Sequence, residues 1–457
     1  MSDERELLGR TAEIAADFLE SLDERPVFPQ TPIEELADAL GGPLPDAPSD
    51  PLQVVEELAR RVGPGVVATA GGRYFGFVTG ATLPASVAAD WLLSSWDQSN
   101  GLYAAGPSVT MAEQVAARWT KEILGLPGEA SLAFVTGCQM AHVTCLAAAR
   151  HDVLARVGWD VERDGLAGSP GITVLAGAKR HVTVDRALRL LGLGTASVSE
   201  IPADEAGRMR TDVLAAALAE LDGPGIVCAQ AGEVNTGSFD DLDEIATVVR
   251  DKDAWLHVDG AFGIWAAASP QLRSLVTGLE RADSWAFDAH KWLNVPYDCG
   301  VAVCARPFAH RAAMRLTAAY LKATGEEQNP ADLTPEASRR ARGVPVYAAL
   351  RSLGRQGVAD LVERCCVHAR RFADGISQMP ECEVLNEVVL NQVLFRLGDD
   401  ETTNAVLAGV QQSGEAWMGG TMWDGRAAIR LSVSSWRTTE DDIDRTVAAF
   451  ERALAVV

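Results

Sequence analysis

Between Tyr74 and Arg306 short apolar runs recur, bounded by glycine, proline or polar residues: Leu132 to Val135, Ile172 to Leu175, Gly225 to Ala229, Trp255 to Val258 and Val301 to Cys304. They are apolar almost throughout rather than alternating, which predicts strands covered on both faces in a parallel sheet, with helices in the stretches between them. Ahead of them, Glu4 to Val62 reads as helices separated by turns such as Arg25-Pro26 and Gly41-Gly42-Pro43, a segment too thin to fold alone. Behind them, an Arg-rich helical stretch near Ser338 to Asp374 leads to strand candidates at Glu383 to Leu397 and Ala427 to Val433, then a last helix from Glu440 to Leu454. The expected organisation is an N-terminal helical segment over 1–68, a large α/β domain over 69–320, a loop over 321–337 and a smaller α+β domain over 338–457. No internal repeat or low-complexity tract points to a solenoid.

Charge narrows the partners. With 40 basic and 63 acidic residues the net charge is −23, which repels phosphate backbones and anionic membrane surfaces, so neither nucleic acid nor membrane is expected. The first ten residues are charged and no run of eighteen apolar residues follows, which leads to an expected cytoplasmic location. Eight cysteines occur without a CxxC pair, and Cys365-Cys366 falls in a helical pattern. They read as buried thiols, and no metal site is expected.

Candidate chemistry concentrates in four segments. In Ala282-Asp283-Ser284-Trp285-Ala286-Phe287-Asp288-Ala289-His290-Lys291-Trp292-Leu293 a lysine stands in a largely apolar setting. Burying an ammonium is costly unless it is neutralised or used covalently. A lysine that loses its proton easily condenses with an aldehyde, and a cofactor aldehyde held as an imine is ready for exchange with an amino-acid amine. A lone lysine more often snorkels to the surface, so this segment does not decide the matter by itself.

Upstream, Ala254-Trp255-Leu256-His257-Val258-Asp259-Gly260-Ala261 is an apolar strand delivering a carboxylate at its C-terminal end, where open α/β sheets bind ligands. Pyridoxal phosphate works as an electron sink while its ring nitrogen stays protonated, and a carboxylate beside that nitrogen keeps it so. Asp259 suits that role, and Ala261 is small enough to let the ring lie close. The plainer alternative is an aspartate that caps the next turn. In Phe134-Val135-Thr136-Gly137-Cys138-Gln139-Met140-Ala141-His142 a strand breaks at glycine and opens an Ala-rich helix whose first amides can receive a phosphate. The segment has neither a Walker lysine nor a full GxGxxG. Finally, Lys179-Arg180-His181-Val182-Thr183 places an imidazole after a strand candidate, able to stack on an aromatic cofactor and polarise a substrate carboxylate.

In this order the segments resemble the group II pyridoxal-dependent decarboxylases, the family of the aromatic amino-acid and glutamate decarboxylases. The motifs that carry the resemblance are Asp259-Gly260-Ala261, His290-Lys291-Trp292 and the downstream Ser338-Arg339-Arg340-Ala341-Arg342. It covers most of the chain and implies the aspartate-aminotransferase fold, fold type I: an α/β protein with a mainly parallel seven-stranded sheet flanked by helices and a smaller C-terminal α+β domain. It implies pyridoxal 5′-phosphate as cofactor, with Lys291, His181 and Asp259 catalytic. Gly137, Cys138, Gln139, Asp288 and His290 would surround the phosphate, and Ala261 would lie against the ring. Phe77 and Thr79, in Tyr74-Phe75-Gly76-Phe77-Val78-Thr79-Gly80, and Tyr103, in Gly101-Leu102-Tyr103, would contact substrate. The implied assembly is a homodimer with a shared active site and the N-terminal segment packed on the partner; the implied reaction forms an amine and carbon dioxide from an L-amino acid.

The chain departs from the family pattern at several points. Cys138-Gln139 stands where small or hydroxylated residues are usual, His142 where asparagine is common, and Glu233 where a small polar residue is usual. The loop between Tyr320 and Ser338, in the family a mobile lid carrying a tyrosine that reprotonates the substrate carbon, has no Tyr, Phe, Trp or His from Leu321 to Pro335, and Leu333 stands where an aromatic is expected. Alternatives therefore stay open: the same cofactor with oxidative deamination to an aldehyde, transamination or carbon–carbon cleavage, or a low-turnover scaffold that binds the cofactor.

Overall fold

The structure is a computed structural model and describes residues 4–316 and 329–457. The chain forms two compact units, one of residues 82–367 with 386–392 and the other of residues 1–81 with 368–385 and 393–457. Among the described residues no helix is long and apolar enough to cross a membrane.

The first unit is built on seven strands: β1 (Ser131–Val135), β2 (Thr173–Gly177), β3 (Val198–Ile201), β4 (Gly225–Gln230), β5 (Trp255–Asp259), β6 (Ser284–Asp288) and β7 (Gly300–Cys304). They lie in the order β1-β7-β6-β5-β4-β2-β3. The sheet is parallel from β3 to β6, whereas β7 runs antiparallel to both β6 and β1. The α/β architecture with a mainly parallel seven-stranded sheet is therefore as expected. Strands β4 to β7 are buried along their whole length, and apart from His257 and polar residues at their ends they are apolar. The edge strand β3 has two exposed residues among its four and leaves no such signature.

Register decides what meets at the carboxyl ends. Gln230 pairs with Asp259 and Asp259 with Ala286, while Gly300 lies beside both Asp288 and Val135. The last residues of β1, β4, β5 and β6 are thus brought to one edge of the sheet, and the turns that follow them surround a common space.

The Arg-rich segment is not helical where the sequence suggests. The helix begins at Gly343, and Ser338 to Arg342 precede it in irregular backbone. The reason is a buried ion pair: Arg339 donates from Nη1 to Glu113 Oε2 at 2.8 Å and from Nη2 to Oε1 at 3.0 Å, with further bonds to the carbonyls of Asn100 and Phe134. Glu113 Oε1 also accepts the Gly343 amide at 2.8 Å, so the acid that binds Arg339 also caps the helix. Replacing Arg339 with methionine leaves Glu113 charged, buried and unpaired, and the expected loss is about 3 kcal/mol. Urea unfolding measures it; a second change, Glu113→Gln, should restore part of the loss, and a single variant as stable as the parent contradicts the account.

A second buried polar group gives a pH dependence. His310, in the helix Pro307–Met314, has Nδ1 against Ser131 Oγ at 2.8 Å and Nε2 against the Leu333 carbonyl at 2.9 Å. The carbonyl can only accept, so Nε2 carries the proton and Nδ1 takes the Ser131 hydroxyl. Burial lowers the imidazole pKa to about 4. Between that value and the unfolded value of about 6.5 the unfolded chain binds the extra proton, so stability is full above this window and falls as pH drops through it. The whole shift corresponds to about 3 kcal/mol. Urea midpoints from pH 7 to pH 4 should fall more steeply for the parent than for His310→Gln; parallel curves refute the assignment. Leu333 itself is 8% exposed, packed in this core. Of the expected loop, residues 321–328 lie outside the described residues.

In the second unit the strands β8 (Cys382–Val384), β9 (Gln392–Leu397), β10 (Gly419–Trp423) and β11 (Arg426–Ser432) form an antiparallel sheet in the order β10-β11-β9-β8, covered by the helices Asp400–Ser413 and Glu440–Leu454. Phe372, Phe395 and Phe450 pack edge to face at its core.

Candidate active site

The space at the carboxyl ends of β1, β4, β5 and β6 is a cavity of about 230 Å³. Gly137, Cys138, Gln139, His181, Asp259, Ala261, Asp288, His290 and Lys291 all line it, joined by Thr183, Gln230, Gly232, Val234 and Phe262. The nine residues singled out for the cofactor thus come from four chain segments to one wall.

Each arrives by a local rule. Asp259 is the last residue of β5, and Ala261 N–H donates to its Oδ1 at 3.1 Å, closing the turn. Gly137 precedes the helix Cys138–Arg156 and offers it no capping side chain; Asp288 Oδ1 takes the Cys138 amide and the Gly137 carbonyl those of Met140 and Ala141. A Cβ on Gly300 would lie 2.3 Å from the Gly137 carbonyl carbon; only glycine there lets β7 support the turn from behind. His181 caps the helix Val182–Leu190, with Nδ1 held by Thr183 Oγ1 at 2.7 Å. Gln230 escaped the sequence reading although the strand-end rule that finds Asp259 applies to it equally, since the two are register partners.

Asp288 organises the opposite end. Its Oδ1 accepts the Cys138 amide at 2.6 Å and lies 3.6 Å from His290 Nε2, and its Oδ2 lies 3.1 Å from Lys291 Nζ. His290 Nδ1 accepts the Cys299 amide at 3.2 Å, which leaves the proton on Nε2 facing Asp288. Burial favours the neutral Lys291 amine, as the sequence reading anticipates, but the attraction of Asp288, helped by Cys138 and Asp259, is larger and raises its pKa. Burial alone therefore does not set the proton affinity of this amine, because a carboxylate lies against it.

Asp259 is the contrasting acid. Burial pushes its carboxyl up, but His142 and His181, with the Ala261 amide, outweigh burial and hold it well below the usual carboxylate range. Behind it runs a buried chain of polar groups: His142 Nε2 lies 3.4 Å from Asp259 Oδ2, His142 Nδ1 2.9 Å from His257 Nε2, His257 Nδ1 2.9 Å from Ser284 Oγ, and Trp255 Nε1 donates to Ser284 Oγ at 2.8 Å.

The site fits a planar, phosphorylated, aldehyde-bearing pyridine. An ionised acid stands at one end, a helix start and an imidazole, both turned to Asp288, at the other, and an amine beside them. Gln139 Oε1 is a further buried atom on this wall without a hydrogen-bond partner, its amide Nε2 being given to the Thr183 carbonyl. Glu233 is not among the cavity-lining residues, and its carboxylate is turned into its own turn, accepting Asn235 N and Thr236 N at 2.7 Å each.

The residues expected at the substrate are not on this wall. Tyr103 lies in the same unit, its amide donating to Asn329 Oδ1 at 3.0 Å. Phe77 and Thr79 belong to the other unit. There Phe77 is 61% exposed and tilts against Trp417 at 5.2 Å, and Phe77 and Val78 have φ of 54° and 56°, a conformation that bulky residues rarely adopt and that clusters at ligand clamps.

Comparisons with known proteins agree with this geometry. The model of the family described as "Pyridoxal-dependent decarboxylase conserved domain" matches residues 34–398. The chain is 27% identical over 456 residues to an aromatic-L-amino-acid decarboxylase of Bacillus atrophaeus, covering 96% of this chain and 93% of that protein. It is 25% identical over 468 residues to a 4-hydroxyphenylacetaldehyde synthase of Rhodiola rosea, covering 96% and 93%. Among solved structures, Oryza sativa TDC with PLP and tryptamine superposes with a TM-score of 0.92 at 24% identity, covering 99% of this chain and 97% of that one, a likeness of fold.

Proposed function

We propose that this chain, which belongs to the pyridoxal-dependent decarboxylase family, holds its cofactor covalently through Lys291 and pairs the ring nitrogen with Asp259. Membership makes it a pyridoxal phosphate-dependent carboxy-lyase that acts on an amino acid. The carrying observation is the shared wall: Lys291, Asp259, His181 and the Gly137 turn face one cavity.

When bound, pyridoxal phosphate supplies an electron sink for the pair left behind as carbon dioxide departs. The chain's residues prepare for that event. Asp288 Oδ2, 3.1 Å from Lys291 Nζ, fixes the position of the amine on the cavity wall. Asp259, ionised in a buried setting, holds a proton on the ring nitrogen electrostatically. His181, with its ring fixed through Nδ1, covers one face and orients the substrate carboxylate. At the phosphate end stand the start of the helix Cys138–Arg156 and His290, with the Cys138 amide and His290 Nε2 both turned to Asp288 in this structure.

For the substrate we favour an aromatic or medium-sized apolar amino acid, with Phe77, Thr79 and Tyr103 as its contacts. The relative of Bacillus atrophaeus named an aromatic-L-amino-acid decarboxylase supports this class. The assembly we assign is a cytoplasmic homodimer with a shared active site. The helix Pro84–Trp96 supports the dimer by exposing Trp91, Leu92 and Trp96 by 43%, 51% and 51%, an apolar patch suited to a second copy.

A second reading keeps the cofactor but ends in an aldehyde. It is favoured by the lack of any Tyr, Phe, Trp or His from Leu321 to Pro335, together with a relative named 4-hydroxyphenylacetaldehyde synthase. Carbon dioxide, amine, aldehyde and peroxide measured by mass spectrometry and coupled assay over a panel of amino acids separate the two. Amine equal to carbon dioxide supports simple decarboxylation; aldehyde with peroxide overturns it in favour of the oxidative outcome.

A further inference from the structure

The polar chain behind Asp259 has a direction that donor and acceptor accounting can determine. Trp255 Nε1 can only donate, and it donates to Ser284 Oγ at 2.8 Å. Ser284 is fully buried and, among the described residues, its hydroxyl meets only Trp255 Nε1 and His257 Nδ1. Its proton must therefore go to His257 Nδ1, because a buried hydroxyl left without an acceptor is costly. His257 then carries its own proton on Nε2 and gives it to His142 Nδ1 at 2.9 Å. His142 in turn carries its proton on Nε2, which lies 3.4 Å from Asp259 Oδ2 and 3.4 Å from Cys138 Sγ, the carboxylate being the stronger acceptor.

We infer that His142 is a positioning residue: it ends a one-way chain, Trp255 to Ser284 to His257 to His142, that hands Asp259 an uncharged N–H. This rests on the reading of Asp259 as the partner of the ring nitrogen. The reversed chain would turn a lone pair of His142 Nε2 toward the carboxylate, and the repulsion would draw a proton between them. Asp259 would then share its proton with His142 and lose its hold on the ring nitrogen. In the forward direction Oδ2 is satisfied by His142 and Oδ1 by Ala261 N–H, with the Cys138 thiol 3.9 Å away. Of the roughly four acceptor directions a carboxylate offers, capacity remains for a ring N–H. The other thiol in this region, Cys145, lies against the carbonyls of Trp285 and Val303 and against His257 and Cys304, and does not reach Asp259.

Three measurements on the holoenzyme test this. First, ¹⁵N NMR of histidine-labelled protein, assigned by single substitutions among the seven histidines, should show His142 and His257 neutral with the proton on Nε2; an imidazolium or an Nδ1–H form at either overturns the chain. Second, Ser284→Ala removes one oxygen, and kcat should fall about tenfold, the equivalent of one charge-assisted hydrogen bond, with KM within about twofold. The visible band of the bound cofactor should shift with it, a change that loosened packing alone would not produce. Third, His142→Asn keeps an N–H donor for Asp259 and should recover part of the kcat and of the band lost in His142→Leu; equal behaviour of the two overturns the proposal. Metal analysis closes a rival, since the side-chain atoms of Cys138, His142 and Asp259 lie within 4.8 Å of one another and a bound equivalent of zinc there would take His142 Nε2 out of the chain. A parent protein with no cofactor band defeats the reading of the whole site, whereas a normal band with an unchanged Ser284→Ala variant defeats the relay alone.

Discussion

Lys291→Ala should abolish the borohydride-reducible visible band of the purified enzyme and lower kcat on the order of 10⁴-fold. The size follows from what the amine does in the proposed site. Its side chain is 20% exposed, its Nζ lies 3.1 Å from a nearly buried carboxylate, and it shares the cavity wall with Asp259. The described cavity wall offers no other lysine, so the loss has no local substitute. A cofactor held only by the phosphate donors and Asp259 must also exchange with substrate from solution rather than from a tethered amine. Absorbance, borohydride reduction with peptide mass mapping, and steady-state kinetics read the three consequences separately. A variant that keeps the reducible band would place the covalent link on another residue.

Asp259→Asn should leave the covalent band reducible but cost on the order of 10³-fold in kcat. The carboxylate stays charged although buried, because His142 and His181 more than offset the burial. An amide supplies a hydrogen bond but no charge, so the proton on the ring nitrogen is no longer held and the electron sink weakens. The amide also faces His142 Nε2 with an ambiguous partner and disturbs the relay. Retained link with lost turnover is the signature that separates this residue from Lys291. Activity within about threefold of the parent would remove Asp259 from its proposed role.

Much of the sheet was legible because its strands are buried on both faces. Leu132 to Val135 can be found by eye, since no polar residue interrupts it, and Trp255 to Val258 is broken only by His257. Strand β3 was not, because at the edge it exposes Ser199 and Glu200 and its apolar signal is diluted. Nor was the antiparallel sense of β7, since a short apolar run carries no mark of direction and its pairing with β1 joins residues far apart in sequence. The irregular backbone at Ser338 to Arg342 was hidden for a similar reason: arginines are good helix formers, and only Glu113, more than two hundred positions away, draws Arg339 into the core.

The site divides along the same line. Lys291, Asp259, Gly137 and His181 were recognisable from the sequence by itself, because each depends on residue type and on a local break from strand to turn. Those are short-range properties of the backbone and are written into neighbouring residues. The electrostatic setting was decided only by the fold: the Lys291 pKa is raised because Asp288 turns toward it, and that of Asp259 is lowered because His142, 117 positions earlier, lies against it. Electrostatic interactions depend on distance through space and on the solvent excluded between the groups. Packing brings these partners together, and packing orders the donors from Trp255 to Asp259.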